Sequence, residues 1–429
     1  MDRPTVTPQP AIAHGVGLPW DVACADPVAA LAAAREQLGD TFVVDSGDDR
    51  YLFTFSAVGV ASFYALGEAD ASKGMADWRM LRRKVPHEVF AGRRTLPHAL
   101  FGRDDAAAYL ANLERALDVA LEELGAEGQL NVFAFTRRLG HRMGLASWGG
   151  PGASAGERFN MLADAFDVLD GAESFVHPDA MAAVAKSGHA AERDALAGAT
   201  ALIGLGLDDH SPGDDLFSRI VDRWEGEAEN VRRTGIAHDV VLVHIASMSN
   251  LFAALGWAIV DLVEHPDERA AVAAGDAALA EQCALESTRL AQRSIMSRYV
   301  LRDVELDVGD ATLTVAAGTT IATLLPLTNS SAAPGLDRWD PRRWHRRRLA
   351  DRASPSAVEL VTAFGHGRHS CPAQSFSLGA MRSALLRLTT RYSLDPIWTQ
   401  HPVPVPAQIG GVARSADPCL LRYRRLARR

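Results

Sequence analysis

The sequence predicts a mainly α-helical protein with a minor β part, and three observations lead there. Helix patterns follow one another with little interruption from about residue 104 to 292. One of them, roughly Ala237 to His265, is apolar nearly all round, so it belongs inside a large core rather than on a surface. Beyond residue 298 the periodicity changes to short alternating stretches punctuated by glycine, the pattern of strands.

Taken in order, DPVAALAAAREQ at 26–37 reads as a helix with an acidic start. YLFTFSAVGVASFYAL at 51–66 reads as a strand or hairpin running into a helix. The stretch 104–128 is a long amphipathic helix, opened by acidic residues that suit the positive end of the helix dipole and stopped at glycine. LNVFAFTRRLGHRMGLASWGG at 130–150 is another helix, ending in Gly-Gly, and the helical pattern continues through about residue 206. The apolar stretch from Ala237 would span about 40 Å. That is near the length of a membrane span, but His244, Ser247, Ser249 and Asn250 interrupt it and its flanks are polar. A helix with Glu286 and Arg289 follows, then strands, a glycine-bearing loop around Cys371, a last helix and a proline-rich, strand-like tail.

The chain has 429 residues, 48% hydrophobic and 23% charged, ordinary values for a globular protein. A net charge of −9 argues against nucleic-acid binding. The Arg-rich run HRRRLADR reads as a solvated loop or a docking surface for an acidic partner. The N-terminus has no apolar run fit for a signal peptide or membrane anchor, so a soluble, cytoplasmic protein is expected. The four cysteines are scattered without a CxxC pair, which excludes a disulfide framework or zinc site from the expectation. Cys24, Cys283 and Cys419 are expected to serve in packing.

The loop AFGHGRHSCPAQSFSLG carries the most chemistry. Gly365 and Gly367 permit tight turns close to a flat ligand. Cys371 precedes a helix whose first amides can stabilise a thiolate, and Arg368 and His369 stand beside it. By itself this is a reactive-thiol loop, a heme-ligand loop or a plain turn.

Neighbouring motifs narrow the choice. Phe364, Gly367, His369 and Cys371 match the Phe-x-x-Gly-x-(Arg/His)-x-Cys-x-Gly loop of cytochrome P450 enzymes, with Ala373 in place of the last glycine. Glu286-Ser-Thr-Arg289 resembles the family's Glu-x-x-Arg, and Arg343 in DRWDPRRW would complete a Glu–Arg–Arg cluster. HPDER at 265–269 is similar to the usual end of the central helix. The elements come in the family's order and cover nearly the whole chain.

The resemblance implies the cytochrome P450 fold in one domain over 1–429. A β-rich part would cover about 1–70, a helical core about 85–300, and strands, ligand loop, last long helix and β tail about 300–429. It implies heme b, with Cys371 as the thiolate ligand to iron. His369, Arg298, Arg94 and His98 would meet the propionates, and Phe364, Gly365 and Ala246 the ring. Trp78-x-x-x-Arg82 imitates a further family pattern but lies too early, so DWRMLRRKVP reads as a loop over the substrate pocket or a basic surface segment. Met80, Ile245, Met248, Phe252, Ile295 and Val412 would line that pocket. Electrons would come from a separate ferredoxin and ferredoxin reductase.

The chain departs from the family where Ala-Gly-x-(Asp/Glu)-Thr is usual: it has Ala246, Ser247, Met248, Ser249 and Asn250. In the family the acid and alcohol relay protons during dioxygen activation. Serine is a weak acid, and asparagine cannot titrate. Three functions follow: a monooxygenase of a small metabolite with altered proton delivery, tailoring in specialised metabolism; a heme-thiolate isomerase, dehydratase or peroxide-using enzyme; or a silent heme-binding, partner-recruiting protein. Ser247 and Ser249 would otherwise simply bond back to helix carbonyls. His244 is expected to be a satisfied core histidine.

Overall fold

The computed structural model describes residues 9–91, 106–171, 178–213, 215–349 and 355–427. Several helix starts carry side-chain caps that satisfy amides left over in the first turn. Asp26 accepts from the Ala29 amide at the start of α1 (Pro27–Leu38). Strands β1 (Thr41–Ser46) and β2 (Asp49–Thr54) form a hairpin leading to α2 (Ala57–Ala65). A two-residue strand β3 (Ala71–Ser72) then precedes α3 (Lys73–Leu81).

The long amphipathic helix α4 is Ala106–Leu124, ended by Gly125 at φ +77°. The residues after it turn into strand β4 (Glu127–Asn131) rather than prolonging the helix. Asn131 caps α5 (Val132–Trp148). Then come α6 (Gly156–Asp170), α7 (Pro178–Lys186), α8 (Ala190–Asp208) and α9 (Leu216–Arg223).

The central helix α10 is Glu229–Glu264, 36 residues. It starts eight residues before the apolar pattern, because its first two turns are charged and exposed on most sides. Its apolarity is explained by burial in the protein: 72% of the most apolar window is covered. Helix α5 crosses it closely. A Cβ on Gly140 would stand 2.9 Å from the Phe252 Cβ, and one on Gly144 2.7 Å from the Met248 sulfur. Those two glycines let the helices approach and so fix which face of α10 is left open.

After α11 (Pro266–Ala273) and α12 (Ala277–Ala291) the chain forms β5 (Ile295–Val300), the β6–β7 hairpin (Val304–Asp307 and Thr312–Val315), β8 (Thr320–Leu324) and the short α13 (Leu325–Ser331). The first and the later strands merge in one sheet of order β1-β2-β8-β5-β3, with β2 and β8 parallel. The β-rich start and the strands near 300 are therefore one layer. A small pair, β9 (Trp344–His345) and β10 (Arg348–Leu349), precedes the cysteine loop and α14 (Gln374–Arg391). Strands β11 (Tyr392–Pro396) and β12 (Leu420–Arg425) close the chain, with β12 paired to β4.

One buried acid of α10 works against the folded state at neutral pH. Asp261 is 6% exposed. Burial pushes its carboxyl up to about 6, against the Ser287 hydrogen bond and the nearby His401. The folded value lies above the ordinary 3.8, so the folded state holds the proton longer. The penalty is absent below pH 4, grows as pH rises, and is complete above 6. Asp261→Asn is expected to stabilise by about 1–3 kcal/mol at pH 7.5 and by much less at pH 4.5. Urea unfolding at both pH values checks this; equal gains would sink it.

Candidate active site

Cys371 lies between a 3-10 turn, Gly367–His369, and the first turn of α14. Its amide donates to the Phe364 carbonyl at 2.7 Å, which pins the cysteine across the loop. Gly365 and Gly367 sit at φ +78° and +57°, a region that favours glycine. Burial raises the Cys371 thiol above its ordinary value; the Ala373 amide and the charge of Lys73 oppose this without cancelling it. The helix start alone does not make a thiolate here, whereas a bound metal cation would.

A continuous chain of hydrogen bonds ties this loop to the core. Glu286 and Arg289 are both wholly buried and pair through two bonds, 2.7 and 2.9 Å. Arg343 reaches Glu286 at 2.9 Å, and the Trp344 indole donates to it at 2.8 Å. Arg289 also donates to the Asn329 and Leu336 carbonyls. Asn329 grips Thr362 on both sides, donating to its carbonyl and accepting from its amide. The Thr362 hydroxyl accepts from the Phe364 amide. Gln292 holds the Ala363 carbonyl from α12's end. Arg347, in the Arg-rich run, donates to Glu281 and to Ser375 just past the cysteine. Asn329, Thr362 and Gln292 carried no sequence signal, because each works through backbone groups that only the fold brings near.

Above α10 lies a cavity of about 390 Å³, a size suited to a small molecule. Met80, Ile245, Ala246, Ser249, Asn250, Ile295 and Val412 all line it. Met248 and Phe252, expected there, do not. They are 1% and 2% exposed and turn to α5 at Gly144 and Gly140. Helix geometry explains the split: the close α5 contact takes the 248/252 side, leaving 245, 246, 249 and 250 open.

Ser249 does not bond back to its own helix. Its hydroxyl donates to Asp170 Oδ1 at 2.9 Å, at the end of α6. Asp170 also accepts from Lys84 at 3.0 Å, Arg137 at 3.2 Å and Arg414 at 2.5 Å. Burial alone would raise this carboxyl, but the charges of Lys84, Arg414 and Arg137 outweigh it and hold it far below the usual carboxylate range. Asn250 is committed elsewhere: its Oδ1 accepts from the Val412 amide at 2.9 Å, and it leaves no room for a Cβ on Gly411. Asn250 thus clamps the tail loop over the cavity. Lys84, Asp170 and Arg414 were not foreseen. Lys84 lies in the turn after α3, in the 77–86 stretch expected as a loop, of which residues 77–81 are helical instead. Arg414 lies two residues past Val412, but nothing local marks Asp170.

His244 is accounted for by packing. The Trp148 indole can only donate, and it donates to His244 Nδ1 at 3.2 Å. Burial keeps His244 neutral, its value well below the ordinary one, so its Nε2 carries the proton and donates to His141 Nδ1 at 2.9 Å. His141 Nε2 in turn donates to Asp167 at 2.9 Å.

Arg298 is 1% exposed and donates to the carbonyls of Leu66, Ala71 and Tyr64. Three of its five N–H donors are thereby used, and it does not line the cavity. Of His369 only the backbone, in the 3-10 turn, is described. Arg94 and His98 lie outside the described residues. Cys283 and Cys419 are buried and Cys24 half-buried, and none of them forms a disulfide.

The residues present fit a thiolate-ligated planar cofactor. A single half-buried thiol sits in a glycine-turned loop. Ala246 and Asn250 are exposed within the buried stretch of α10 that follows its first two turns, so a small side chain and an amide border open space. Lys73, in the cavity lining, also acts electrostatically on Cys371, which brings thiol and cavity into one region.

No protein-family model matches the chain. It is 23% identical to human 24-hydroxycholesterol 7-alpha-hydroxylase over 206 residues, 42% of this chain. That alignment spans 41% of the human protein, well under half of its length. Among solved structures, the retinoic acid-bound cyanobacterial CYP120A1 superposes with a TM-score of 0.73 at 16% identity, covering 98% of this chain and all of that one. The fold is the cytochrome P450 fold.

Proposed function

We propose that the chain is a heme-thiolate monooxygenase of the cytochrome P450 type, working in the cytoplasm on a small organic metabolite in specialised metabolism. The observation that carries this reading is the anchored cysteine: in a P450 fold, Cys371 is fixed at a helix start by hydrogen bonds running back to the Glu286–Arg289–Arg343 cluster. The similarity to a human hydroxylase and to a P450 that binds retinoic acid supports it.

Heme b, when bound, would supply the oxidising chemistry. Cys371 would ligate its iron, with Phe364, Gly365 and Ala246 against the ring. His369, Arg298, Arg94 and His98 are the groups proposed for the propionates. The remaining steps belong to the chain's own residues. Asn250 holds the Val412 loop closed, and Ser249 presents its oxygen beside the cavity while its proton is directed to Asp170. Asp170 is ionised at neutral pH and saturated with donors, so it serves as a fixed charge and not as a proton donor. Proton delivery by an acid–alcohol pair is therefore replaced by another route.

The same feature favours a second reading, a heme-thiolate isomerase, dehydratase or peroxide-using enzyme that needs no reductive activation of dioxygen. Heme-loaded protein supplied with NAD(P)H, a ferredoxin and its reductase under labelled dioxygen separates the two. Label in the product supports the monooxygenase, and turnover without reductant overturns it. Asn250→Thr tests the departure itself. Product formed per reductant consumed is expected to rise at least twofold, measured beside unfolding to register the lost Val412 contact. An unchanged ratio would mean that residue 250 has no bearing on the mechanism.

A further inference from the structure

Asn250 has one end of its side-chain amide fixed and the other unused. A backbone N–H can only donate, so the atom that faces the Val412 amide at 2.9 Å is Oδ1, and the orientation of the side-chain amide is settled. A Cβ on Gly411 would collide with Oδ1 and stand 3.9 Å from Nδ2, so the nitrogen end turns away from the tail loop. Neither hydrogen on Nδ2 has an acceptor among the described residues. Asn250 is exposed within a buried stretch of α10, and the cavity above that helix is the space it borders.

Several other polar groups of the lining have already committed their hydrogens. Ser249 donates to Asp170, Ser294 to Gln292 Oε1, and the Gln408 amide nitrogen to the Gly410 and Val412 carbonyls. Ser297 on β5 and Arg414 on the tail loop retain donors. Asn250 differs from these two in position and rigidity. Its amide is pinned by a bond to the backbone. It also stands one turn, about 6 Å along the helix, from Ala246, the residue that the proposed function puts against the ring. Much of the remaining lining is apolar, with Ile245, Ile295, Ile409 and Val412 among it.

We propose that Asn250 Nδ2 is a specificity-determining donor to the carbonyl oxygen of a neutral substrate, a ketone, ester, lactone or amide on an otherwise apolar frame. This deepens the proposed function, since it rests on the cavity above α10 being the substrate site. The amide then makes two bonds at once, Oδ1 to the tail loop and Nδ2 to the ligand, so binding leaves the Val412 contact intact. A ligand without an acceptor at that point strips water from an amide donor and returns no bond, a loss of about tenfold in affinity. A ligand with a carbonyl there is spared it.

Calorimetry on the heme-loaded protein compares 2-tetralone with tetralin and 4-phenylbutan-2-one with butylbenzene. Each pair keeps its frame and differs in the carbonyl oxygen. The readout is the ketone-to-hydrocarbon affinity ratio followed across variants, in which the unequal hydrophobicity of the two ligands cancels. Asn250→Asp keeps an oxygen for the Val412 amide and replaces the donor with an acceptor. For at least one pair the ratio is expected to fall about tenfold in Asn250→Asp, and to stay within about twofold in Ser297→Ala and Arg414→Gln. Asn250→Leu, uncharged but without the Val412 bond, shows the same fall if the aspartate variant does not fold. Infrared difference spectra with a ketone labelled at its carbonyl carbon give a second readout on the unaltered protein. The carbonyl band of the bound ketone should lie below its position in hexane. An unchanged ratio in the Asn250 variants, a larger fall in Ser297→Ala or Arg414→Gln, an unshifted carbonyl band, or no binding by either ketone overturns the proposal. The carbon monoxide difference spectrum keeps the two levels apart. Thiolate ligation without a ratio that depends on Asn250 fails the carbonyl subsite alone. A ratio that depends on Asn250 in protein lacking that spectrum fails the heme-thiolate reading alone.

Discussion

Glu286→Gln is expected to destabilise the protein by about 3–5 kcal/mol, the cost of leaving buried charge unpaired. Glu286 is 0% exposed and receives Arg289, Arg343, the Trp344 indole and the Asp340 amide. Glutamine keeps the shape, but two guanidinium groups then face each other with their counter-charge gone, one wholly buried and one nearly so. Total stabilities of about 5–15 kcal/mol leave little margin for such a loss. The damage should spread, because Arg289 also holds Asn329, and Asn329 holds Thr362 at the base of the cysteine loop. Denaturant unfolding and cofactor retention after gel filtration should therefore fall together. Glu229→Gln is the control: its ion pairs with Arg232 and Arg233 are exposed, and such pairs contribute under about 1 kcal/mol. If the two variants unfold alike, the buried cluster does not have the role assigned to it.

Cys371→Ala is the second large expectation, and it is opposite in kind. The reduced, carbon monoxide-treated protein should lose the Soret band of thiolate ligation completely. The fold should survive, because the contact that pins residue 371 is its backbone amide on the Phe364 carbonyl, which alanine keeps. Circular dichroism should show the same helix content and a similar melting point. Persistence of the band would remove Cys371 as the axial ligand, and loss of helix content would mean that the side chain is structural.

Much of this was legible in the chain. The cysteine loop, Glu286-x-x-Arg289 and Arg343 are local patterns, and the structure brings the last three together. A glycine stop for α4 followed from ordinary helix signals, but the helix ends at Gly125, three residues short of the expected bound at 128, because 127–131 pair as a strand. The face of α10 was harder. An apolar helix has no preferred side by composition, so Met248 and Phe252 looked as fit for the cavity as Ile245. The glycines of α5 decided otherwise, through a contact between segments more than a hundred residues apart. The charges around Asp170 were invisible for the same reason: Lys84, Asp170, Ser249 and Arg414 are spread over more than three hundred residues.

The sequence by itself determined the fold class, the cysteine to be presented and the absence of an acid–alcohol pair at 249–250, since these depend on residue type and short spacing. Only the tertiary structure decided what Ser249 and Asn250 do instead. One hydroxyl is turned to a distant carboxylate and one amide to a distant backbone N–H, because a buried polar group must find its partner wherever the folded chain places one.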